Sequence, residues 1–197
     1  MAVFFTSDHH FGHMKIIEHC RRPFADVDHM NHQLVRRWNE VVGPDDEVWH
    51  LGDFAYRCHP RTMANLFNSL NGRKHLVTGN HDNGATCSLR WASRPVPYAE
   101  LSLAIGDDPG NPAKLTPFIL FHYGMRVWNQ KRRGAIHLYG HSHDRLPDLD
   151  RSCDVGVDSW DYRPVGIQQL LARLPKPSKL NPENSSGEET SEGEATS

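Results

Sequence analysis

Six short apolar runs recur along the chain, each closed by turn residues: 2–6, 47–51, 75–78, 117–121, 135–139 and 154–157. Their length and their β-branched or aromatic content predict strands. Helical periodicity appears between several of them. Met30, Leu34, Trp38 and Val41 repeat at near-fourfold spacing, with Asp28 as the expected N-cap and Gly43-Pro44 as the stop. A second helix is expected over 62–70. Ile167, Leu170, Leu171 and Leu174 form an i, i+3, i+4, i+7 stripe that predicts a third. Strand and helix alternate early and strand dominates later, which indicates an α/β layered sandwich.

Composition sets limits on this picture. With 38% hydrophobic and 23% charged residues, the 197-residue chain suits one soluble globular domain. The last large apolar residue of the periodic pattern is Leu174, so the domain is expected over 1–174. Residues 175–197 are polar and acidic, with too little apolar surface to offset the entropy of ordering, and read as a disordered tail. Five of the 24 acidic residues lie in 183–197, leaving 22 basic against 19 acidic residues upstream, a charge of +3. That is too thin for a nucleic-acid-binding protein as such, so nucleic acid enters only as a substrate. No apolar run approaches the roughly 20 residues of a membrane span. Residues 1–8 carry no basic leader or cleavage site, and the expectation is a cytoplasmic protein without membrane contact. The four cysteines form no Cys-x-x-Cys pair, which excludes a zinc knuckle and a dithiol redox motif. Fourteen histidines is the unusual count, and it directs attention to metal binding or proton transfer.

The chemistry lies at the strand exits. Run 2–6 leads to Asp8-His9-His10, and run 47–51 to Gly52-Asp53. Run 75–78 leads to Gly79-Asn80-His81-Asp82, run 117–121 to His122, and run 135–139 to Gly140-His141-Ser142-His143. Five strands therefore end in metal-competent residues, at the carboxyl ends where open α/β sheets place their ligand crevice. Taken singly, Asp-x-His or Gly-Asp is a weak signal. Gly-Asn-His-Asp and Gly-His-x-His are more specific, and all five in order carry the inference.

These motifs, between about Val3 and His143, resemble those of the calcineurin-like metallophosphoesterase superfamily. The resemblance implies a four-layer α/β/β/α sandwich of two mixed sheets with helices outside and a two-metal site between the sheets. By position, one metal would take Asp8, His10, Asp53 and His143, and the other Asp53, Asn80, His122 and His141, with Asp53 bridging. It also implies hydrolysis of a phosphate ester by a shared hydroxide, with His81 contacting the phosphoryl oxygen or protonating the leaving oxygen. Imidazole and oxygen ligands without thiolate suit two divalent ions of manganese, iron, zinc or nickel. Asp82 is either the acid orienting His81 or a turn residue capping the next segment.

Other residues carry weaker signals. Strand alternation points His9 away from its neighbours, a structural role. His13 either lines the pocket or sits on a surface loop. Arg22 and Arg57 are candidates for bidentate phosphate contacts, against the common fate of a solvated arginine. Residues 158–164, polar and aromatic, either border the site or form a packed connector. His137, flanked by Ile136 and Leu138, reads as a core or sheet-face residue.

Rival chemistries lack their motifs. There is no cysteine–arginine phosphate cradle, no Gly-x-x-x-x-Gly-Lys loop and no Gly-x-Ser-x-Gly elbow. Within the resembled family, a short chain with no large cap or accessory domain between the motifs implies an open site, and the expectation is a phosphodiesterase. A phosphomonoesterase, or a non-catalytic metal-binding scaffold on the same fold, are the alternatives.

Overall fold

The computed structural model describes residues 1–105, 114–149 and 151–175. The acidic tail expected over 175–197 lies almost wholly outside the described residues. Two four-stranded sheets face each other. The first has the order β3 (Arg73–Leu76), β2 (Glu47–His50), β1 (Val3–Thr6), β8 (Val165–Gly166); the second runs β4 (Tyr98–Ile105), β5 (Lys114–Phe121), β6 (Ile136–Tyr139), β7 (Ser152–Asp154). Both are mixed. β1, β2 and β3 are parallel and β8 antiparallel, while β5, β6 and β7 are parallel and β4 antiparallel.

The period-two alternation of β1 and β2 sorts side chains to two cores. Phe5, Trp49, Leu51 and Val165 face the second sheet, meeting Phe118, Leu120, Ile136 and Leu138. Phe5 stacks on Phe118 at 5.7 Å between ring centroids, closing the inter-sheet layer. Phe4 and Val48, paired in register, face the opposite way, into the core shared with helices α1 (Met14–His19), α2 (Val27–Asn39) and α3 (Pro60–Ser69). Met30, Leu34 and Trp38 are the buried stripe of α2, and Met63 and Phe67 that of α3. The outer face of the second sheet is covered differently. Ile119 and Ala135 pack with Trp128 and Met125 from the 122–135 connection, whose regular structure is a single 3-10 turn, Lys131–Arg133. A one-turn helix, α4 (Gly84–Cys87), follows β3, and the last helix, α5 (Ile167–Arg173), buries Leu170 in the inter-sheet core. No helix among the described residues is long and apolar enough to cross a membrane.

Several boundaries differ from the expectation. The N-cap of α2 is Asp26, not Asp28. Asp26 is extended and its carboxylate accepts the His29 N–H at 2.7 Å, whereas Asp28 lies in the first turn, where its charge suits the helix dipole. The helix α3 starts earlier, with Pro60 at its first position and His59 capping it. The run 154–157 leaves the ladder after Asp154, whose carboxylate accepts the Gly156 N–H at 2.6 Å and turns the chain into a 3-10 helix, Val157–Ser159. Edge strand β4 shows no apolar run. It alternates exposed and half-buried positions, with Ala99, Leu101, Leu103 and Ile105 on the core side.

Candidate metal centre

Asp8, His10, Asp53, His141 and His143 all adopt positive φ, between 48° and 66°. Left-handed backbone is uncommon for residues other than glycine, and five such residues on three strand exits mark a locally strained site. Each conformation turns the chain sharply off its strand and swings the side chain back over the sheet end. The neighbouring glycines make room for the turns. A Cβ on Gly52, at φ +99°, would lie 2.6 Å from Nδ1 of His122, and one on Gly140 would collide with Ser7 Oγ and Asp8 Oδ2.

The consequence is convergence. Asp8, His10 and His143 have ligand atoms within 4.8 Å of one another, and so do Asp53, His122 and His141. Asp53 joins the groups, with Oδ2 3.4 Å from His10 Nε2 and 3.6 Å from His122 Nε2. Asn80 Oδ1 is 3.1 Å from His122 Nε2. All seven residues expected at the metal pair are therefore brought together.

Hydrogen bonds behind the cluster fix which atoms face inward. His122 Nδ1 donates to the Leu51 carbonyl at 2.7 Å, so Nε2 is the ring nitrogen turned toward Asp53 and Asn80. His143 Nδ1 donates to Asp158 Oδ2 at 2.7 Å. Asp8 Oδ2 accepts from Ser7 Oγ and from the His141 N–H, so Oδ1 is the free oxygen. Asp53 Oδ1 accepts the His81 N–H at 2.9 Å, leaving Oδ2 to the cluster.

The ordinary protein interior does not leave such atoms unpaired, yet Asp8 Oδ1 and His10 Nε2 are buried without a hydrogen-bond partner. Each orphan of this kind is worth about 1–3 kcal/mol of destabilisation. A cation accepts both lone pairs, and the oxygen and imidazole donors fit divalent ions. In the ion-free protein, burial lifts the Asp8 carboxyl to about 7, against the lowering charges of His143 and His122. Burial likewise holds His10 down, to about 2, with Asp53 opposing it. For His143 burial is outweighed by the Asp158 hydrogen bond and the Asp8 charge, and its pKa rises to about 10. For Asp53 burial is overcome by the hydrogen bond and charge of His122, and its carboxyl stays well below the usual carboxylate range.

Other expected residues divide. His81 lies at the cluster's edge, with Nε2 4.0 Å from Asp53 Oδ2 and its ring against Tyr56 and His10. His13 and Arg57 line a cleft of about 520 Å³ next to it. Asp82 is not behind His81. Its carboxylate accepts the N–H groups of Asp53, Phe54 and Gly79 at 2.8–3.0 Å and ties two strand exits together, which rules out the orienting-acid reading. Arg22 is not a phosphate contact either. It is buried, pairs bidentately with Asp158 and donates to the carbonyls of Asp8 and His9. His9 is buried beneath the site, with Nδ1 3.0 Å from His50 Nε2, and His137 bonds the Ile119 and Tyr123 carbonyls in the second sheet, both as expected.

Asp158 is the functional position that the strand-end pattern does not reveal. It directly follows the run 154–157, but no local pattern ties its carboxylate to His143 and Arg22. It also groups with Cys20 and His143 within 4.8 Å.

Fold and site together define a two-sheet α/β protein with a partly buried His/Asp/Asn cluster of candidate metal ligands. No family model matches the chain. The sequence is 30% identical over 182 residues to an uncharacterized protein of Methanocaldococcus jannaschii, covering 88% of this chain and 92% of that protein. It is 32% identical over 180 residues to the gene 66 protein of Mycobacterium phage D29, covering 80% and 88%, and 30% identical over 182 residues to that of Mycobacterium phage L5, covering 80% and 87%. The chain belongs to the family that these proteins form. The crystal structure of a protein of unknown function from Aquifex aeolicus has the same fold, with a TM-score of 0.64 at 19% identity, over 87% of this chain and 98% of that one.

Proposed function

We propose that the protein is a dinuclear metal-dependent phosphoesterase of the calcineurin-like kind, with phosphodiesters as preferred substrates. The observation that carries this reading is the position of Asp53. One carboxylate oxygen lies 3.4 Å from His10 Nε2 and 3.6 Å from His122 Nε2, within reach of both ligand groups, which supports a shared role between two ions. Asp8, His10, Asp53 and His143 would hold one ion, and Asp53, Asn80, His122 and His141 the other.

Two bound divalent ions supply Lewis-acid charge and a water acidified for attack on phosphorus. The protein's part is to set the field and the geometry. Asp8 and Asp53 bring two negative charges against the four of the ions, while four imidazoles and one amide ligate without further neutralisation. The pocket keeps a positive charge that attracts a phosphoryl group. His81, a third exposed and outside both ligand groups, would donate a proton to the leaving oxygen or hold a phosphoryl oxygen.

The test is hydrolysis of bis(p-nitrophenyl) phosphate by protein loaded with manganese, with p-nitrophenyl phosphate as the comparison. Turnover of the diester supports the reading. Turnover of the monoester alone makes the protein a phosphomonoesterase, and two bound ions without turnover of either make it a metal-binding scaffold.

A further inference from the structure

The cleft beside His81 has an uncommon lining. His13, Lys15, His19, Tyr56, Arg57 and His81 contribute side chains to it, and no acidic residue lines it. Lys15 and Arg57 are exposed, and neither forms an ion pair among the described residues. Elsewhere on the surface Arg37 pairs with Asp161, Arg163 with Glu40 and Arg173 with Asp148.

The geometry joins this cleft to the ligand cluster. The His13 ring lies 5.4 Å from that of His10, and His81 borders both cleft and cluster. Tyr56 is held between them, 4.5 Å from the rings of His13 and of His81, and the Arg57 guanidinium sits 5.2 Å above its face. Arg57 is thereby placed over a rigid aromatic platform while its charge stays open to the cleft. Nδ1 of His13 is buried without a hydrogen-bond partner. At about 520 Å³ the space falls in the range of small-ligand pockets, well beyond the needs of one phosphoryl group.

We propose that this cleft binds a second phosphoryl group of the substrate, held by Arg57 and Lys15, while the first is hydrolysed at the ion pair. The inference rests on the phosphoesterase reading and adds to it a substrate class: phosphodiesters that carry a further phosphate one unit away from the scissile one. An unpaired guanidinium and ammonium in an acid-free cleft select an anion through charge-assisted hydrogen bonds.

The experiment compares kcat/KM of the manganese-loaded protein on dithymidine monophosphate, the same dinucleotide with a terminal phosphate, and trithymidine diphosphate. Bis(p-nitrophenyl) phosphate, with one phosphate, serves as reference. The expected result is a preference of about tenfold or more for a doubly phosphorylated substrate over the dinucleotide without the added phosphate. That preference should shrink toward one in Lys15→Gln/Arg57→Gln. Preference for the terminal phosphate alone assigns the site to a small end-phosphorylated substrate, and preference for the trinucleotide alone assigns it to a polynucleotide backbone. Equal rates on all three thymidine substrates, with the reference still hydrolysed, overturn the cleft and leave the phosphoesterase reading intact. No hydrolysis of the reference or of any thymidine substrate overturns both. The wild-type preference stands as a measurement even if the double variant fails to fold.

Discussion

His143 Nδ1 and Asp158 Oδ2 lie 2.7 Å apart, and the same carboxylate is gripped from its other side by the buried Arg22. The bond fixes the His143 ring, and under the proposed function it would set the tautomer and raise the basicity of the ring toward an ion. Asp158→Asn keeps an acceptor but loses the charge. We expect metal affinity to fall by roughly 10–100-fold, read by calorimetric titration with manganese. Arg22→Ala instead leaves Asp158 with His143 as its remaining charged partner and takes a donor from the Asp8 and His9 carbonyls, and should destabilise the fold by about 1–3 kcal/mol, read by urea denaturation. Unchanged affinity in Asp158→Asn would show that the His143 ring needs no such support.

His81 and Asp82 are neighbours in sequence with separate tasks. His81→Ala should leave both ions bound and slow turnover by about 10²–10⁴-fold, because no ligand atom is removed. Asp82→Ala should act on the fold, since three buried backbone N–H groups lose their acceptor at once. Its signature is a lowered melting temperature together with loss of metal, and any remaining activity should keep the wild-type pH profile. A stable, metal-replete Asp82→Ala protein with an altered pH profile would return Asp82 to the chemistry.

Much of this site is legible in the sequence, and the reason is geometric. A ligand placed just after a buried parallel strand inherits its position from the sheet, so Asp8, Asp53, Asn80 and His122 can be located from the apolar runs alone. Residues that act through other residues leave no such trace. Arg22 and Asp158 are 136 positions apart, and their pairing follows from packing of the loops over the first sheet rather than from any local pattern. The carboxylate of Asp82 looks the same in sequence whether it meets an imidazole or three amides. Strand β4 is obscured for another reason: as an edge strand it needs apolar residues on one side only, and alternation with Glu100 and Ser102 breaks the run that marks a buried strand.

Asp53→Asn tests the bridge directly. Its Oδ2 is the atom between the two ligand groups, so replacing it by an amide should weaken both ions and abolish turnover. Metal content per chain, measured by atomic absorption after dialysis, should drop at both sites. Loss of one ion with activity retained would show that Asp53 belongs to a single site.

Proton release on metal binding is the last expectation, and its sign is set by the ion-free protein. His143, raised to about 10, carries its proton throughout the neutral range, and Asp8, lifted to about 7 chiefly by burial, is part protonated there. A ligand atom must be unprotonated to bind an ion. His143 therefore gives up a proton when manganese binds at pH 7, and Asp8 gives up the fraction it holds. Affinity should consequently rise with pH across the neutral range and fall as acid restores both protons. Titrations at pH 7 in buffers of different ionisation enthalpy count the protons released, and at least one per chain is expected. A count of zero, with affinity independent of pH, would mean that Asp8 and His143 are not where the ion binds.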